Sequence, residues 1–228
     1  MQPKDKDIIL SVSNQVKKLS EGDSGGHDWW HIYRVWQVAR GIAEIEKGDL
    51  LVIELAALLH DIGDWKFNNG DELAGGKMSR SMLEEYALPK QTVNHIVDIV
   101  DTLSFKGAKV DTSMKSLEGK IVQDADRLDA IGAIGIARAF AYGGMKGRSI
   151  YDPNIEPFLH STFESYKSSN STTINHFFEK LLLLKDRMNT QTAKEIATKR
   201  QKFMEQFIFQ FFKEWDFDME KFRENKKS

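Results

Sequence analysis

A chain of 228 residues, 41% of them apolar, can close one large hydrophobic core or two small ones, which argues against disorder except at the ends. Its 32 lysines and arginines nearly balance 34 aspartates and glutamates, so no global field draws it to a nucleic acid polymer or an anionic membrane, and any phosphate pocket must be local. Cysteine is absent, which excludes disulfides and thiolate ligands, and with no signal-peptide core or membrane-length apolar run the expected protein is cytoplasmic.

Only four prolines, little β-branched alternation and repeated i, i+3, i+4 apolar spacing predict an all-α protein. The first helix, about Asp5 to Leu19, carries Ile8, Ile9, Val12, Val16 and Leu19 on one face. Turn-forming residues from Glu21 to Gly26 break it, and Asp28 then stands as an N-cap. The second helix runs to about Lys47 with His31, Val35, Val38, Ile42 and Ile45 on one stripe, which aims His31 inward. After Gly48-Asp49 a third helix places Ile53, Ala56, Ala57 and His60 on one face. The small alanines let another helix approach, so that His31 and His60 can meet, and Gly63 ends or kinks the helix.

The stretch from Asn68 to Gly76 is glycine-rich and polar, followed by a short helix around Met82, Leu83 and Tyr86 that stops near Pro89. Thr92 to Leu103 is helical through Val93, Ile96, Val97 and Val100, and Ser104 to Ser116 is expected to be a mobile loop. Leu117 to Asp129 returns to helix with Ile121, Val122, Ala125 and Asp126 along one side. Asp126 lies most directly in that stripe, whereas Asp124 and Asp129 are expected on solvated or capping faces. Ala130 to Tyr142 continues as a tightly packed helix, and Gly143 to Ser149 forms a basic loop. Helices at about Pro157 to Lys167, Thr172 to Met188 and Thr190 to Phe217 complete the chain. The last bears Phe203, Phe207, Phe211 and Trp215, a stripe that packs on the preceding helices or, as a second reading, forms a homodimer interface.

Four residues on or ending apolar helical faces converge in this reading: His31, His60, Asp61 and Asp126. Two imidazoles and two carboxylates, with positions left for water, suit Mn²⁺, Mg²⁺, Fe²⁺, Ni²⁺ or Co²⁺ in roughly octahedral geometry. Asp64 shares the side of His60 if the helix persists through Gly63; it is a candidate for orienting or deprotonating water, with a turn cap as its other reading. Lys66 is close enough to meet a substrate phosphate, or is a surface lysine. His27, four residues before His31, is a candidate to touch substrate or a water at the ion. Lys146 and Arg148 loosely suggest a phosphate cradle but lack a P-loop ending, and a helix connector explains them too.

The chain resembles the HD-domain metal-dependent phosphohydrolases. The likeness rests on His31-Ile32-Tyr33-Arg34-Val35, on Leu58-Leu59-His60-Asp61-Ile62-Gly63, and on Gln123-Asp124-Ala125-Asp126-Arg127-Leu128-Asp129 continuing into Ala130-Ile131-Gly132-Ala133. The segment Ser171 to Leu181 is similar to one found in a compact bacterial subgroup. Within it His176, Glu179 and Lys180 share one helix side, as substrate contacts or as a surface ion-pair patch. The resemblance implies one HD-type domain, a helical bundle with its core at about 27–130 and a helical extension at about 131–217. It also implies hydrolysis of nucleotide phosphates, and within the subgroup cleavage of nucleoside or deoxynucleoside triphosphates to monophosphate and pyrophosphate. Asp64-Trp65 stands where alarmone hydrolases carry two acids, which argues against that activity. Two alternatives stay open: a phosphomonoesterase on nucleoside monophosphates or other phosphoesters, and a non-catalytic nucleotide-binding regulator.

Overall fold

The computed structural model describes residues 2–20, 28–63, 74–103, 112–159, 162 and 171–215. Nine α-helices occur among them: α1 (Pro3–Leu19), α2 (Trp29–Glu46), α3 (Leu50–Leu59), α4 (Ala74–Leu83), α5 (Lys90–Thr102), α6 (Leu117–Asp129), α7 (Gly132–Met145), α8 (Thr173–Glu179) and α9 (Gln191–Trp215). No strand is present among the described residues. No helix among them is long and apolar enough to cross a membrane.

Helix α3 is the centre of the bundle. Every residue from Val52 to Leu59 is buried, and all but Glu54, which accepts from Trp36 Nε1 at 2.7 Å, are apolar, so the helix needs cover on all sides. Helices α1, α2, α5 and α6 supply that cover. Ala56 and Ala57 are fully enclosed, which lets neighbouring backbones come close to the end of α3 that carries His60.

Several helix starts are fixed by side chains. The Asp28 carboxylate accepts from the His31 N–H at 3.0 Å, as the sequence predicts. Asp49 likewise caps α3, and Ser116 caps α6. Each cap contributes about 1 kcal/mol, and the one at Asp28 sets the rotation of α2. The buried face of α2 is His31, Ile32, Val35, Ala39, Ile42 and Ala43. That face is rotated from the expected stripe: Val38 is half-buried and Ile45 is 66% exposed, because neighbours cover α2 over a narrower arc than the spacing of its aliphatic residues suggests.

Departures from the expected elements concentrate in the second half of the chain. Residues 157–159 are not helical, and most of the helix expected from Pro157 to Lys167 lies outside the described residues. The helix expected from Thr172 to Met188 stops at Glu179. It gives way at Lys180, whose φ of −140° and ψ of −60° leave the helical region, to two 3₁₀ turns at Leu181–Leu183 and Lys185–Arg187. Most of the loop expected from Ser104 to Ser116 also lies outside the described residues, although Met114 within it is buried.

The start of α9 is held by α6. The Asp124 carboxylate, fully buried, accepts from the Asn189 and Thr190 N–H groups at 2.8 Å each, from the Thr190 hydroxyl at 2.8 Å and from the Asn189 side-chain amide at 2.9 Å. Asp124 is therefore a capping group, but of a helix 66 residues away, and it is not solvated. Of the expected aromatic stripe, Phe207 and Phe211 pack inward, with Phe207 stacked 5.9 Å from Phe177. Phe203 and Trp215 are about half exposed, Trp215 lying edge-on to Tyr151 at 4.9 Å.

Candidate metal centre

Three helices bring four side chains to one place. His31 lies in the first turn of α2, His60 and Asp61 directly follow α3, and Asp126 lies on α6. The two Nε2 atoms are 3.1 Å apart. Asp61 Oδ2 is 3.4 Å from His31 Nε2 and 3.9 Å from His60 Nε2, and Asp126 Oδ1 is 3.6 and 3.8 Å from the same pair. Ligand atoms of His31, His60 and Asp126 all fall within 4.8 Å of one another. The imidazoles are buried, whereas the Asp126 side chain is 32% exposed, so the cluster opens on the carboxylate side. That reverses one expectation, since Asp126 is the least buried of the three aspartates on α6.

The proton positions decide what this cluster can bind. His60 Nδ1 donates to the Ala57 carbonyl at 2.8 Å, because a carbonyl only accepts. His31 Nδ1 donates to Asp129 Oδ2 at 2.7 Å. Burial presses the Asp129 carboxyl pKa up, but hydrogen bonds from His31 and Arg34, with the charges of His31 and Arg138, hold it well below the usual carboxylate range. Asp129 is therefore an ionised acceptor. With each Nδ1–H committed in this way, a ring in its neutral form presents Nε2 as an acceptor toward the other ring and toward two carboxylate oxygens. Such a set of acceptors fits a cation: two ligands about 2.1 Å from an ion and at right angles to it lie about 3.0 Å apart. The same need for positive charge acts on His31 itself. Burial pushes its pKa down most, but the hydrogen bonds to Asp129 and Asp61 outweigh this and hold it above the ordinary histidine value.

Asp129 was expected on a solvated or capping face and is instead almost fully buried. It accepts from His31, from Arg34 Nε and Nη2 at 2.7 and 3.0 Å, and from Arg138 Nη1 at 2.9 Å. Sequence reasoning gave Asp129, Arg34 and Arg138 no role. The available signal was the three-residue step from Asp126, which places Asp129 on the same helix side. Arg127 does not pair with Asp126 but donates to the Arg187 carbonyl and to Thr112 Oγ1 at 3.0 Å. Burial lowers its pKa to about 10, against the attraction of Asp124 and Asp126.

The remaining candidates divide. His27, Asp64 and Lys66 lie outside the described residues. The helix does not persist through Gly63, since α3 ends at Leu59 and Gly63 has φ +72°, so the helical-phase argument for Asp64 does not apply. Lys146 and Arg148 each lie 5.7 Å over the Tyr142 ring. His176 and Lys180 are half-buried at the end of α8. Glu179 beside them is buried, accepting from Ser171 Oγ at 2.7 Å and the Phe158 N–H at 3.1 Å, so it fastens the chain and is not part of a surface ion-pair patch. Trp30 is 59% exposed and is not a core residue.

The sequence profile of the HD domain matches residues 29–131, a span that contains all four converging side chains. A solved HD-superfamily hydrolase from Bacillus thuringiensis is 44% identical, with a TM-score of 0.72 over 94% of this chain and 100% of that one. The chain belongs to the HD superfamily. This HD protein is also similar to YpgQ of Bacillus subtilis, described as uncharacterized, with 40% identity over 204 residues, 89% of this chain and 91% of YpgQ. The crystal structure of YpgQ in complex with ADP is 38% identical, with a TM-score of 0.69 over 89% of this chain and 97% of that one. A protein from Lactobacillus plantarum gives a TM-score of 0.83 at 39% identity, over 93% of the HD chain and 98% of its own.

Proposed function

We propose that the protein is a divalent-metal-dependent phosphohydrolase that converts nucleoside or deoxynucleoside triphosphates to monophosphate and pyrophosphate. The observation that carries this reading is the convergence of four side chains, with each histidine Nδ1 committed to an oxygen acceptor and both Nε2 atoms turned to one point between two carboxylates. The ADP complex of the similar YpgQ supports a nucleotide as the ligand. His31, His60, Asp61 and Asp126 are the ligands, and their two carboxylates balance the charge of a dication. A divalent ion, when bound, supplies Lewis acidity and charge stabilisation to a phosphoryl group.

The residues of the chain supply placement and proton transfer. Asp64 receives a proton from the attacking water, whose oxygen bonds to the α-phosphorus. The bond from that phosphorus to its bridging oxygen breaks, and the electron pair leaves with pyrophosphate. Lys66 pairs with a substrate phosphate, and His27 contacts the substrate beside it. Lys146, Arg148, His176 and Lys180 form an outer set of cationic and polar contacts. Gly143 of α7 packs directly against Thr173 at the start of α8, so the segment that carries Lys146 and Arg148 leaves α7 beside the helix that carries His176. One core running from Ile8 to Ile208 supports a single domain, with the HD core at about 27–130 and an extension at about 131–217.

The test is a panel of nucleoside and deoxynucleoside mono-, di- and triphosphates assayed with Mn²⁺, Mg²⁺, Ni²⁺ and Co²⁺, reading phosphate and pyrophosphate separately. Pyrophosphate release from triphosphates is expected. Inorganic phosphate alone would move the activity to phosphomonoesters, and nucleotide binding without hydrolysis under every ion would refute an enzyme.

A further inference from the structure

We propose that Asp129 is a positioning residue for the metal centre, holding the His31 ring in the one tautomer and orientation that turn Nε2 toward the ion. The proposal rests on His31 being a ligand. Asp129 does not reach the ligand cluster itself; it acts through the far nitrogen of the ring. Three donors converge on its Oδ2: His31 Nδ1 at 2.7 Å, Arg138 Nη1 at 2.9 Å and Arg34 Nη2 at 3.0 Å. Its Oδ1 accepts from Arg34 Nε at 2.7 Å. The forked Arg34 contact fixes the plane of the carboxylate, and Arg138 reaches it from α7, so the acceptor offered to His31 is clamped by groups on two helices.

Only an ionised carboxylate satisfies all four contacts. An amide in its place has a single accepting oxygen. With that oxygen toward His31, its NH₂ faces the Arg34 Nε–H; turned the other way, its NH₂ faces Nδ1. The ring relieves the second conflict only by moving its proton to Nε2, the atom 3.1 Å from His60 Nε2 and 3.4 Å from Asp61 Oδ2. A protonated Nε2 cannot bind a cation. The tautomer is therefore under the control of a residue 98 positions away in the chain. Outer groups that orient a metal-binding histidine typically change metal affinity by about 10- to 100-fold.

The experiment compares the full-length wild-type chain with Asp129→Ala and Asp129→Asn. Mn²⁺ affinity is measured by competition with a fluorescent chelator. Ring ¹⁵N NMR of the metal-free proteins, at a pH where the imidazole is neutral, reports which His31 nitrogen carries the proton. Wild type is expected to hold the proton on Nδ1. The variants are expected to bind Mn²⁺ about 10- to 100-fold more weakly and to show a population protonated at Nε2. Asp129→Asn, nearly isosteric, carries the test if Asp129→Ala does not fold. A folded variant with the proton still on Nδ1 and Mn²⁺ affinity within about twofold of wild type would overturn the proposal. Wild type that takes up no Mn²⁺ would instead overturn the ligand reading, and the proposal with it.

Discussion

Replacing His60 with alanine removes one of the two buried nitrogens and tests whether the converging acceptors act as an ion site. An ion that binds the folded chain and not the unfolded one stabilises by RT ln(1 + [ion]/Kd), about 2.7 kcal/mol at a hundredfold excess over Kd. For a domain of this size about 1 kcal/mol shifts Tm by about 2–4 °C, so the wild-type rise on adding Mn²⁺ is about 5–11 °C. His60 contributes one of the four converging groups, with Nε2 only 3.1 Å from that of His31, so its loss leaves no imidazole pair to chelate. The expected outcome is a His60→Ala protein that melts cooperatively, shows less than about a quarter of the wild-type shift and has no hydrolytic activity. Paired thermal melts with and without Mn²⁺, monitored by circular dichroism, measure it. A variant that keeps the full ion-induced rise would refute the assignment of His60 as a ligand.

Two further outcomes address the scaffold. Asp124→Ala removes the acceptor of the part-buried Asn189 N–H and the buried Thr190 N–H, at about 1–3 kcal/mol each; denaturant unfolding should show a loss of about 2–6 kcal/mol, and a change under about 1 kcal/mol would contradict the role of Asp124 at the start of α9. Asp101 has its carboxyl pKa raised, chiefly by burial, against a hydrogen bond from the Gly76 N–H, and its Oδ1 has no hydrogen-bond partner among the described residues. A raised folded pKa means that wild type holds its full Asp101 contribution below the unfolded value and loses it as pH rises through the folded one. Asp101→Asn should therefore be more stable than wild type near neutral pH, with the gap closing in acid; melting curves across pH that show no such convergence would exclude this cause.

The sequence made the four candidate ligands legible because each is a polar residue where helical phase demands an apolar one or where an apolar helix ends. His60-Asp61 closing a run of leucines and alanines is visible without any partner. Asp129 was illegible for the opposite reason. An acid three residues after another acid looks like a solvated helix flank, and its burial becomes reasonable only when Arg34, Arg138 and His31 arrive from elsewhere in the chain. The break after Glu179 was hidden by Leu181-Leu182-Leu183-Leu184, four consecutive leucines that carry no phase, so periodicity continues through them on paper. The rotated face of α2 was missed because Ile45 fits the stripe by spacing, while packing by other helices decides which positions are covered.

The contact between His31 and Asp129 also bears on the order in which this chain assembles. It joins positions 98 residues apart, and the two imidazoles come from helices 29 residues apart. No local segment can build the whole site, and the entropy of closing those loops must be met before His31 and Asp126 reach the adjacent pair His60-Asp61. During synthesis the nascent chain therefore presents only scattered histidines and acids until α6 has emerged and docked against α2 and α3. The start of α9, tied through Asp124 two residues before Asp126, steadies the same helix. An ion held by these four groups would therefore be taken up late in maturation, after distant parts of the chain have found one another.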